Sequence, residues 1–378
     1  MSEEESEVEQ ANVGEVQQSV PRVFWRTKEM NTRGPDIADD LLLPQVAEQT
    51  NLYSAQVRNL KSVSTDYIEM IRFTGLQILM GSLKYPQGRL YWSNDLCVPL
   101  IRNTMTRDRF FELRNHLHFV DNSARRDNTD KLWKIRPIIT KVQEKCYTLP
   151  RSKHLSIDEQ MIPFSGRCEY RQYVPSKPNP LGLKNFVLAA RVGVVLDFEI
   201  YVGSNTLPPQ DMADLGLGAG IVKLLCRTVD ETCVLYTDRF FTSIKLADYL
   251  IQNKKDVYLT GTVMTNRIGP VSKKLTTDKQ LKRGEWDEKV RNDEEVSVLK
   301  WKDTKAVTML STCIGGSPIG SCKRWCKVEK KKIDVAQPAV VKNYNTCMGG
   351  IDLCDRLIAY YRVQCVQEGG PCVHSVIS

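Results

Sequence analysis

The order of strand-like and helix-like segments in the second half of the chain constrains its fold most. HLSIDEQMIPF has the pattern of one strand, and KNFVLAARVGVVLDFEIYVG predicts two strands that reverse around Leu196 and Asp197. A predicted helix near residues 219–227 then precedes the strand TCVLYTD, the helix SIKLADYLIQNKK and the strand DVYLTGTV. Three strands followed by helix, strand, helix and strand predict a mixed α/β core.

That order of elements is the order of an RNase H-like sheet. Between Asp66 and Asp121 apolar residues recur at helical intervals, which predicts a mostly helical region before the sheet. The apolar residues that set this pattern are Ile68, Ile71, Leu76, Leu79, Phe110, Leu113 and Leu117. Residues 269–332 are rich in charge and include a predicted hairpin, EVSVLKW and AVTMLST, so we interpret them as an insertion. A last helix is predicted over residues 348–361.

The charge of the chain favours an anionic partner. The whole chain of 378 residues carries a net charge of +8, although its first 20 residues hold six glutamates and no lysine or arginine. The rest of the chain is therefore more basic than the total indicates, and nucleic acid is the commonest partner of such a surface. The most apolar stretch is interrupted by Arg191, Asp197 and Glu199, so no membrane-spanning segment is expected.

The cysteines favour a reducing compartment over a metal-binding role. The chain has 12 cysteines, scattered singly and often within apolar stretches, where a reduced cysteine packs as a small hydrophobic side chain. Cys322 and Cys326 form the closest pair, with Cys313 upstream, but no second pair of ligand spacing follows. Since closed zinc sites use tightly paired ligands, structural zinc is not expected.

Four aspartates lie at positions that are typical of functional acidic residues. Asp158 falls inside an apolar strand, Asp238 ends another strand, and Asp352 opens a helix in which Asp355 follows one turn later. Such carboxylates cap helices, pair with basic groups or assemble on a metal, and spacing alone does not choose among these roles. Oxygen ligands of this kind suit Mg²⁺, which needs one or two carboxylates beside substrate phosphates.

Several ordered motifs resemble those of piggyBac transposases. SIDEQMIPFSGRCEYRQYVPSKPNPLGLK resembles the signature around the first catalytic aspartate of that family, YTDRFFTS its second motif and YNTCMGGIDLCDRL its third. Upstream, LKYPQGRLYWS and MTRDRFFELRNHLHFVDN are similar to the helical region of the family. The resemblance extends from about residue 35 to about residue 363.

The resemblance implies a set of functional residues and an activity. Asp158, Asp238 and Asp352 would form the catalytic triad and bind Mg²⁺ or Mn²⁺, with Asp355 as a further metal ligand. The implied activity is cut-and-paste transposition, in which DNA is nicked, hairpins form at the element ends and the element is joined to TTAA targets. The cationic residues that we expect to contact DNA are Arg167, Arg171, Lys177, Lys184 and Arg267.

The predicted organisation is a mixed α/β fold in which an insertion interrupts an RNase H-like catalytic core. We expect a disordered acidic leader at residues 1–35, the first part of a helical domain for DNA binding and dimerisation at 36–152, the first part of the core at 153–268, the insertion at 269–332, the last core helix at 333–363 and a divergent tail at 364–378. The expected partners are double-stranded DNA and a second copy of the chain or a full-length relative. The expected location is the nucleus.

Three biological roles and two local features stay open at this point. The chain is interpreted as an active transposase, as a domesticated and catalytically silent DNA-binding protein, or as a modulator that pairs with a full-length relative. The basic cluster is compatible with a nuclear localisation signal, with phosphate contacts or with a solvated loop, and it consists of Lys323, Arg324, Lys327, Lys330, Lys331 and Lys332. Trp286, Trp301 and Trp325 are compatible with base stacking or with packing.

Overall fold

The computed structural model describes residues 42–361 apart from residues 60, 125–129, 131, 165, 167, 176, 255 and 328. The predicted leader of residues 1–35 and the predicted tail of residues 364–378 lie outside the described residues. The helices are α1 Leu42–Val57, α2 Tyr67–Leu83, α3 Pro99–Thr104, α4 Arg107–His116, α5 Arg136–Tyr147, α6 Pro209–Leu225, α7 Ile244–Asn253, α8 Ala339–Cys347 and α9 Gly350–Tyr361. The strands are β1 His154–Pro163, β2 Arg171–Tyr173, β3 Leu181–Ala190, β4 Val195–Ile200, β5 Cys233–Thr237, β6 Val257–Thr262, β7 Trp286–Val290, β8 Ser297–Lys302, β9 Ala306–Ser311, β10 Gly320–Cys326 and β11 Lys331–Gln337.

The helices α1 to α5 confirm the predicted helical region, but the predicted apolar face of α2 is only partly right. Phe110, Leu113 and Leu117 are buried as expected. In α2, however, Ile68 and Ile71 are 41% and 44% exposed, and the buried face consists of Met70, Phe73, Leu76, Met80 and Gly81. Because α2 is apolar on more than one side, its periodicity does not identify the face that packs on α4.

Among the described residues, nine strands form one mixed sheet. Its order is β2-β3-β1-β5-β6-β9-β8-β7, and β4 pairs with β3 beside β2. The strands β1, β5 and β6 run parallel to one another, whereas β3 lies antiparallel to β1. The predicted reversal at Leu196 and Asp197 is wrong, because the chain turns between β3 and β4 at Gly193, whose φ is 87°. Glycine adopts this left-handed conformation without steric cost, and Asp197 instead lies buried within β4.

The predicted hairpin within residues 269–332 is confirmed and is continuous with the main sheet. It consists of β8 and β9, and β9 also pairs antiparallel with β6, so β7, β8 and β9 extend the sheet. β10 and β11 form a separate two-stranded sheet that was not predicted, and the expected boundary between residues 332 and 333 falls inside β11. The basic cluster therefore lies on the two strands and the turn of a hairpin, and its lysines are exposed.

Helices cover both faces of the sheet around β1. On one face α6 and α7 contribute Ile221, Val222 and Leu246 to a core that also contains Leu155 and Ile157 of β1. On the opposite face Ile351 of α9 packs against β3, and α8, which was not predicted, packs next to β8 and β9. No helix in the described part of the chain has the length and apolarity needed to cross a membrane.

Candidate active site

The pairing of β1 with β5 brings two of the predicted catalytic residues together. Ile157 of β1 lies opposite Thr237 of β5 in a parallel register. Asp158 follows Ile157 within β1, and Asp238 follows Thr237 directly after β5 ends, so the register brings the two aspartates to neighbouring positions. The register of β1 and β5 thus brings together two residues that are 80 positions apart along the chain.

Helix α9 brings the other two aspartates to the same face of β1. Alternation along β1 puts Ser156, Asp158 and Gln160 on one face. A Cβ added to Gly350, the first residue of α9, would lie 2.6 Å from Oγ of Ser156 and 2.7 Å from the carbonyl oxygen of Ala190. The helix therefore begins in backbone contact with the sheet. One turn into α9, Asp355 accepts a hydrogen bond of 2.7 Å on Oδ1 from Nε2 of Gln160.

The electrostatic environment of Asp158 reflects its burial and its acidic neighbours. Its pKa is raised from 3.8 to about 6, mainly by burial and to a smaller extent by the negative charges of Asp238 and Asp352, while the N–H of Glu159 and the charge of Lys177 oppose the shift. The three predicted triad residues are thus within electrostatic reach of one another. Their mutual repulsion favours the uptake of a proton or a cation.

Asp238 and Asp355 are likewise shifted toward the protonated form. Burial raises the pKa of Asp238, against the hydrogen bond of 2.8 Å that its Oδ1 accepts from the N–H of Phe240. Burial also raises the pKa of Asp355, against the hydrogen bond from Gln160. Desolvation is therefore the dominant influence on three of the four aspartates.

Tyr344 of α8 lies within electrostatic reach of these aspartates, and the sequence did not identify it. Burial raises its pKa to about 12, and the charges of Asp238, Asp158 and Asp352 act in the same direction. Its hydroxyl group therefore stays protonated across the physiological range and can serve as a hydrogen-bond donor near the carboxylates.

The donor chemistry of the site fits a hard divalent cation. Asp158 and Asp238 each accept a backbone N–H, at 2.7 and 2.8 Å, and neither has a salt bridge within the described part of the chain. No group of three or more His, Cys, Asp or Glu side chains among the described residues is arranged as a ready-made metal site. Mg²⁺ does not require such a cage, because it binds through one or two carboxylates together with water and substrate phosphates.

A cavity of about 330 Å³ opens beside the carboxylates of α9. Its lining includes Asp352 and Asp355 of α9, and Lys177 and Asn179 from the loop between β2 and β3. Arg356 lines it as well, so the cavity offers cationic groups next to acidic ones. This combination suits the binding of a phosphodiester, because the cationic groups can hold the phosphate while the carboxylates take part in the chemistry.

The predicted DNA-contacting residues fall into different environments. Nζ of Lys177 donates to the carbonyl oxygen of Glu159 at 2.8 Å, and Lys177 lines the cavity. Lys184 forms an ion pair of 2.5 Å with Glu159, and its side chain is 14% exposed. Arg171 is exposed on β2, Arg267 donates to the carbonyl oxygen of Phe240, and Arg167 lies outside the described residues. DNA contact by these residues remains a prediction.

Gln160 was missed although the sequence holds a signal for it. It lies two residues after Asp158 on the same strand, so strand alternation puts both side chains on one face. Its Oε1 accepts a hydrogen bond of 3.2 Å from Nδ2 of the buried Asn185 on β3, while its Nε2 binds Asp355. Tyr344 had no comparable signal, because its helix was not predicted.

Comparison with known proteins gives a family match and two curated relatives. The family model described as Transposase IS4 matches residues 37–370. The human PiggyBac transposable element-derived protein 3 is 32% identical over 334 residues, which cover 86% of this chain and 55% of the relative. The human PiggyBac transposable element-derived protein 2 is 30% identical over 326 residues, covering 84% and 54%. The chain thus spans about half the length of these relatives.

A solved structure has the same fold. A piggyBac transposase determined by cryo-electron microscopy, in a synaptic complex with hairpin DNA, superposes with a TM-score of 0.74 at 24% sequence identity. The match covers 89% of this chain and 69% of that one. At this level of identity the likeness establishes the architecture of the chain.

Proposed function

Since the chain belongs to the Transposase IS4 family of piggyBac type, we propose that it binds double-stranded DNA and cleaves and joins it at TTAA sites. The fold of a relative does not by itself fix chemistry, so the proposal depends on the site. The observation that carries it is the register of β1 and β5, which brings Asp158 near Asp238 on the sheet that α9 covers with Ile351, the residue next to Asp352.

The proposal includes an RNase H-like catalytic core. Support comes from the strand order β4-β3-β1-β5-β6, in which β3 runs antiparallel to β1 and to β4, next to the parallel strands β1, β5 and β6. α6 connects β4 to β5, and α7 connects β5 to β6, in the order expected from the sequence. Asp238 follows the carboxyl end of β5, and Asp158 lies in the middle of the neighbouring strand β1.

Asp158, Asp238 and Asp352 would hold Mg²⁺ or Mn²⁺, with Asp355 close behind. When bound, the cation would stabilise negative charge on the attacking and leaving oxygens of a phosphodiester during in-line displacement. Lys177 and Arg356, which line the adjacent cavity, would orient the phosphate next to the carboxylates. The hydrogen bonds of Gln160 would fix Asp355 in position for that role.

The direct test is nicking of a duplex that carries a TTAA-flanked element end. With Mg²⁺, the purified chain is expected to release a 3′-hydroxyl at the element end, and Asp238→Asn is expected to abolish the product while leaving DNA binding intact. Lys305→Gln, which changes an exposed residue of the β8–β9 turn, serves as a control and should nick like the wild type. Binding without any nick, in Mg²⁺ and in Mn²⁺, would contradict the cleavage activity.

A second candidate function is DNA binding without cleavage. It is favoured by the net charge of +8, which suits binding to a phosphate backbone without any need for a metal ion. A silent binder would hold random and TTAA-containing duplexes with similar affinity, because phosphate contacts carry no sequence information. Equal affinities together with an inert Mg²⁺ assay would select this function over the first.

Dimerisation and nuclear location complete the proposal. A dimer would double the mass of the 43.1 kDa chain in light scattering, and a single-chain mass at all accessible concentrations would contradict it.

The basic cluster supports nuclear import, and a fluorescent fusion of the whole chain that stays outside the nucleus would argue against that location.

A further inference from the structure

The hairpin of β10 and β11 has two faces of different character. In its antiparallel register Trp325 lies opposite Lys332, and Lys323 lies opposite Asp334. Residues that are directly opposite in such a pair point to the same face, and neighbours along a strand point to opposite faces. Trp325, Lys323 and Lys332 therefore share one face, and Arg324 projects from the other.

The face that carries Arg324 attaches the hairpin to the rest of the protein. Nε of Arg324 donates to Oδ2 of Asp303 at 2.8 Å, and Asp303 also accepts a hydrogen bond of 2.9 Å from Arg283. Arg283 in turn donates to the carbonyl oxygen of Trp325 at 3.3 Å. Val335 of β11 packs in the same hydrophobic cluster as Trp301. These contacts fix the orientation of the hairpin.

The opposite face presents a large aromatic side chain between cations. Trp325 is 58% exposed, whereas Trp301 is only 3% exposed and donates through Nε1 to the carbonyl oxygen of Ala336 at 2.8 Å. Of the three tryptophans in this region, Trp301 thus serves packing, and Trp325 does not. Lys323 and Lys332 flank Trp325 and are both exposed.

The charge of the hairpin complements a phosphate backbone. Residues 320–337 contain six lysines and arginines but only two acidic residues, Glu329 and Asp334. Glu329 is paired with Lys331 at 2.9 Å. An exposed aromatic ring that is bordered by lysines is the combination that proteins use to bind unpaired nucleic acid strands, by stacking on bases and neutralising phosphates.

We propose that this face of the β10–β11 hairpin binds an unpaired DNA strand, with a base stacked on Trp325 and the neighbouring phosphates bound by Lys323 and Lys332. The inference rests on the proposed DNA-binding function and deepens it, because it assigns a contact to single-stranded DNA that lies outside the aspartate site. A strand of this kind is present wherever a duplex has been opened or carries an overhang.

The test compares affinities for a labelled oligo-thymidine strand and for a blunt duplex by fluorescence anisotropy. Trp325→Ala should weaken binding of the unpaired strand by about 5-fold to about 150-fold, the loss that corresponds to removing one stacked base. Trp325→Phe, which keeps a stacking ring, should restore most of the affinity. Binding of the blunt duplex should change little in either variant.

Substitution of the lysines separates stacking from charge. The double change Lys323→Gln and Lys332→Gln should weaken both DNA forms and should make binding less sensitive to salt, whereas Lys305→Gln should not. Thermal unfolding of each variant checks that the hairpin change has not unfolded the chain. If Trp325→Ala and Trp325→Phe bind the unpaired strand as the wild type does, the inferred stacking on Trp325 is contradicted, although the proposed function stands.

Two other results have distinct meanings. A wild-type chain that binds neither DNA form contradicts the proposed function itself. A wild type that self-associates through Trp325, with the larger mass lost in Trp325→Ala and DNA affinity unchanged, would identify the face as a protein interface and overturn the inference.

Discussion

Asp158 combines burial, acidic neighbours and a position inside a strand. Its pKa of about 6 results mainly from desolvation, because its side chain accepts only one backbone hydrogen bond within the described part of the chain. An uncompensated carboxylate in such a place lowers stability, and proteins retain such groups where a cation or a proton is to be bound. The position of Asp158 could be predicted from strand pattern and motif. The hydrogen bond between Asn185 and Gln160 could not, because the two residues are distant in sequence and meet only through strand pairing.

The shifted pKa of Asp158 predicts an unusual pH dependence of stability. Its folded pKa, about 6, lies above its ordinary value of 3.8, so folding favours the protonated form. This contribution is fully present below about pH 4 and is lost as the pH rises through about 6. In chelator-treated buffer, Asp158→Asn should therefore raise the free energy of unfolding at neutral pH by up to about 3 kcal/mol relative to wild type, and the gain should vanish near pH 4.

Urea denaturation at a series of pH values measures this difference. Lys305→Gln is the control, since its stability should follow the wild type at every pH. A constant difference between Asp158→Asn and wild type across the series would show that the fold does not raise the pKa of Asp158.

At the scale of elements, α9 decides whether the aspartates converge. Its first residue, Gly350, contacts the backbone of β3 so closely that no side chain fits. The sequence predicted the helix, because an apolar helical pattern is a local signal. It did not predict α8 or the β10–β11 hairpin. In β10 the exposed positions alternate with only partly buried ones, so apolar alternation, the usual strand signal, is weak.

Gly350→Ala is expected to displace α9 from the sheet. The added Cβ would overlap Ser156 and the carbonyl oxygen of Ala190, and a backbone group cannot rotate away as a side chain does. Overpacking of this kind costs about 1–3 kcal/mol, which should appear as a lower midpoint of unfolding. Gly349→Ala is the matched control, because its Cβ would meet no atom within 4 Å. Equal midpoints for the two variants would refute the close contact.

At the scale of the whole molecule, a single mixed sheet joins the proposed catalytic core to the region interpreted as an insertion. The strands around β1 could be predicted from the sequence, because the periodicity of apolar residues is a local property. The pairing of β6 with β9 could not be predicted from the sequence, because any free strand edge can accept a partner from a distant segment. The aspartate site therefore lies on this sheet, and the basic hairpin of β10 and β11 packs against the same sheet.

The basic surface predicts DNA binding that weakens steeply with salt. The logarithm of affinity for a duplex should fall linearly with the logarithm of salt concentration, by about 0.9 for each phosphate contact. Lys177→Gln should reduce this slope by about one contact, since Lys177 lines the cavity. Lys184→Gln should reduce it less, because Lys184 is already paired with Glu159. A slope that is the same in wild type and Lys177→Gln would remove Lys177 from the DNA interface.

The central claim, that Asp158 and Asp238 act together on a divalent cation, is tested most directly by Mn²⁺ titration of the DNA-bound chain with electron paramagnetic resonance. The account predicts that wild type binds Mn²⁺, that the affinity falls as the pH drops below about 6 because a proton then competes at Asp158, and that the double variant Asp158→Asn with Asp238→Asn loses the site. Mn²⁺ binding that is equally strong in the double variant, or absent from the DNA-bound wild type, would contradict it.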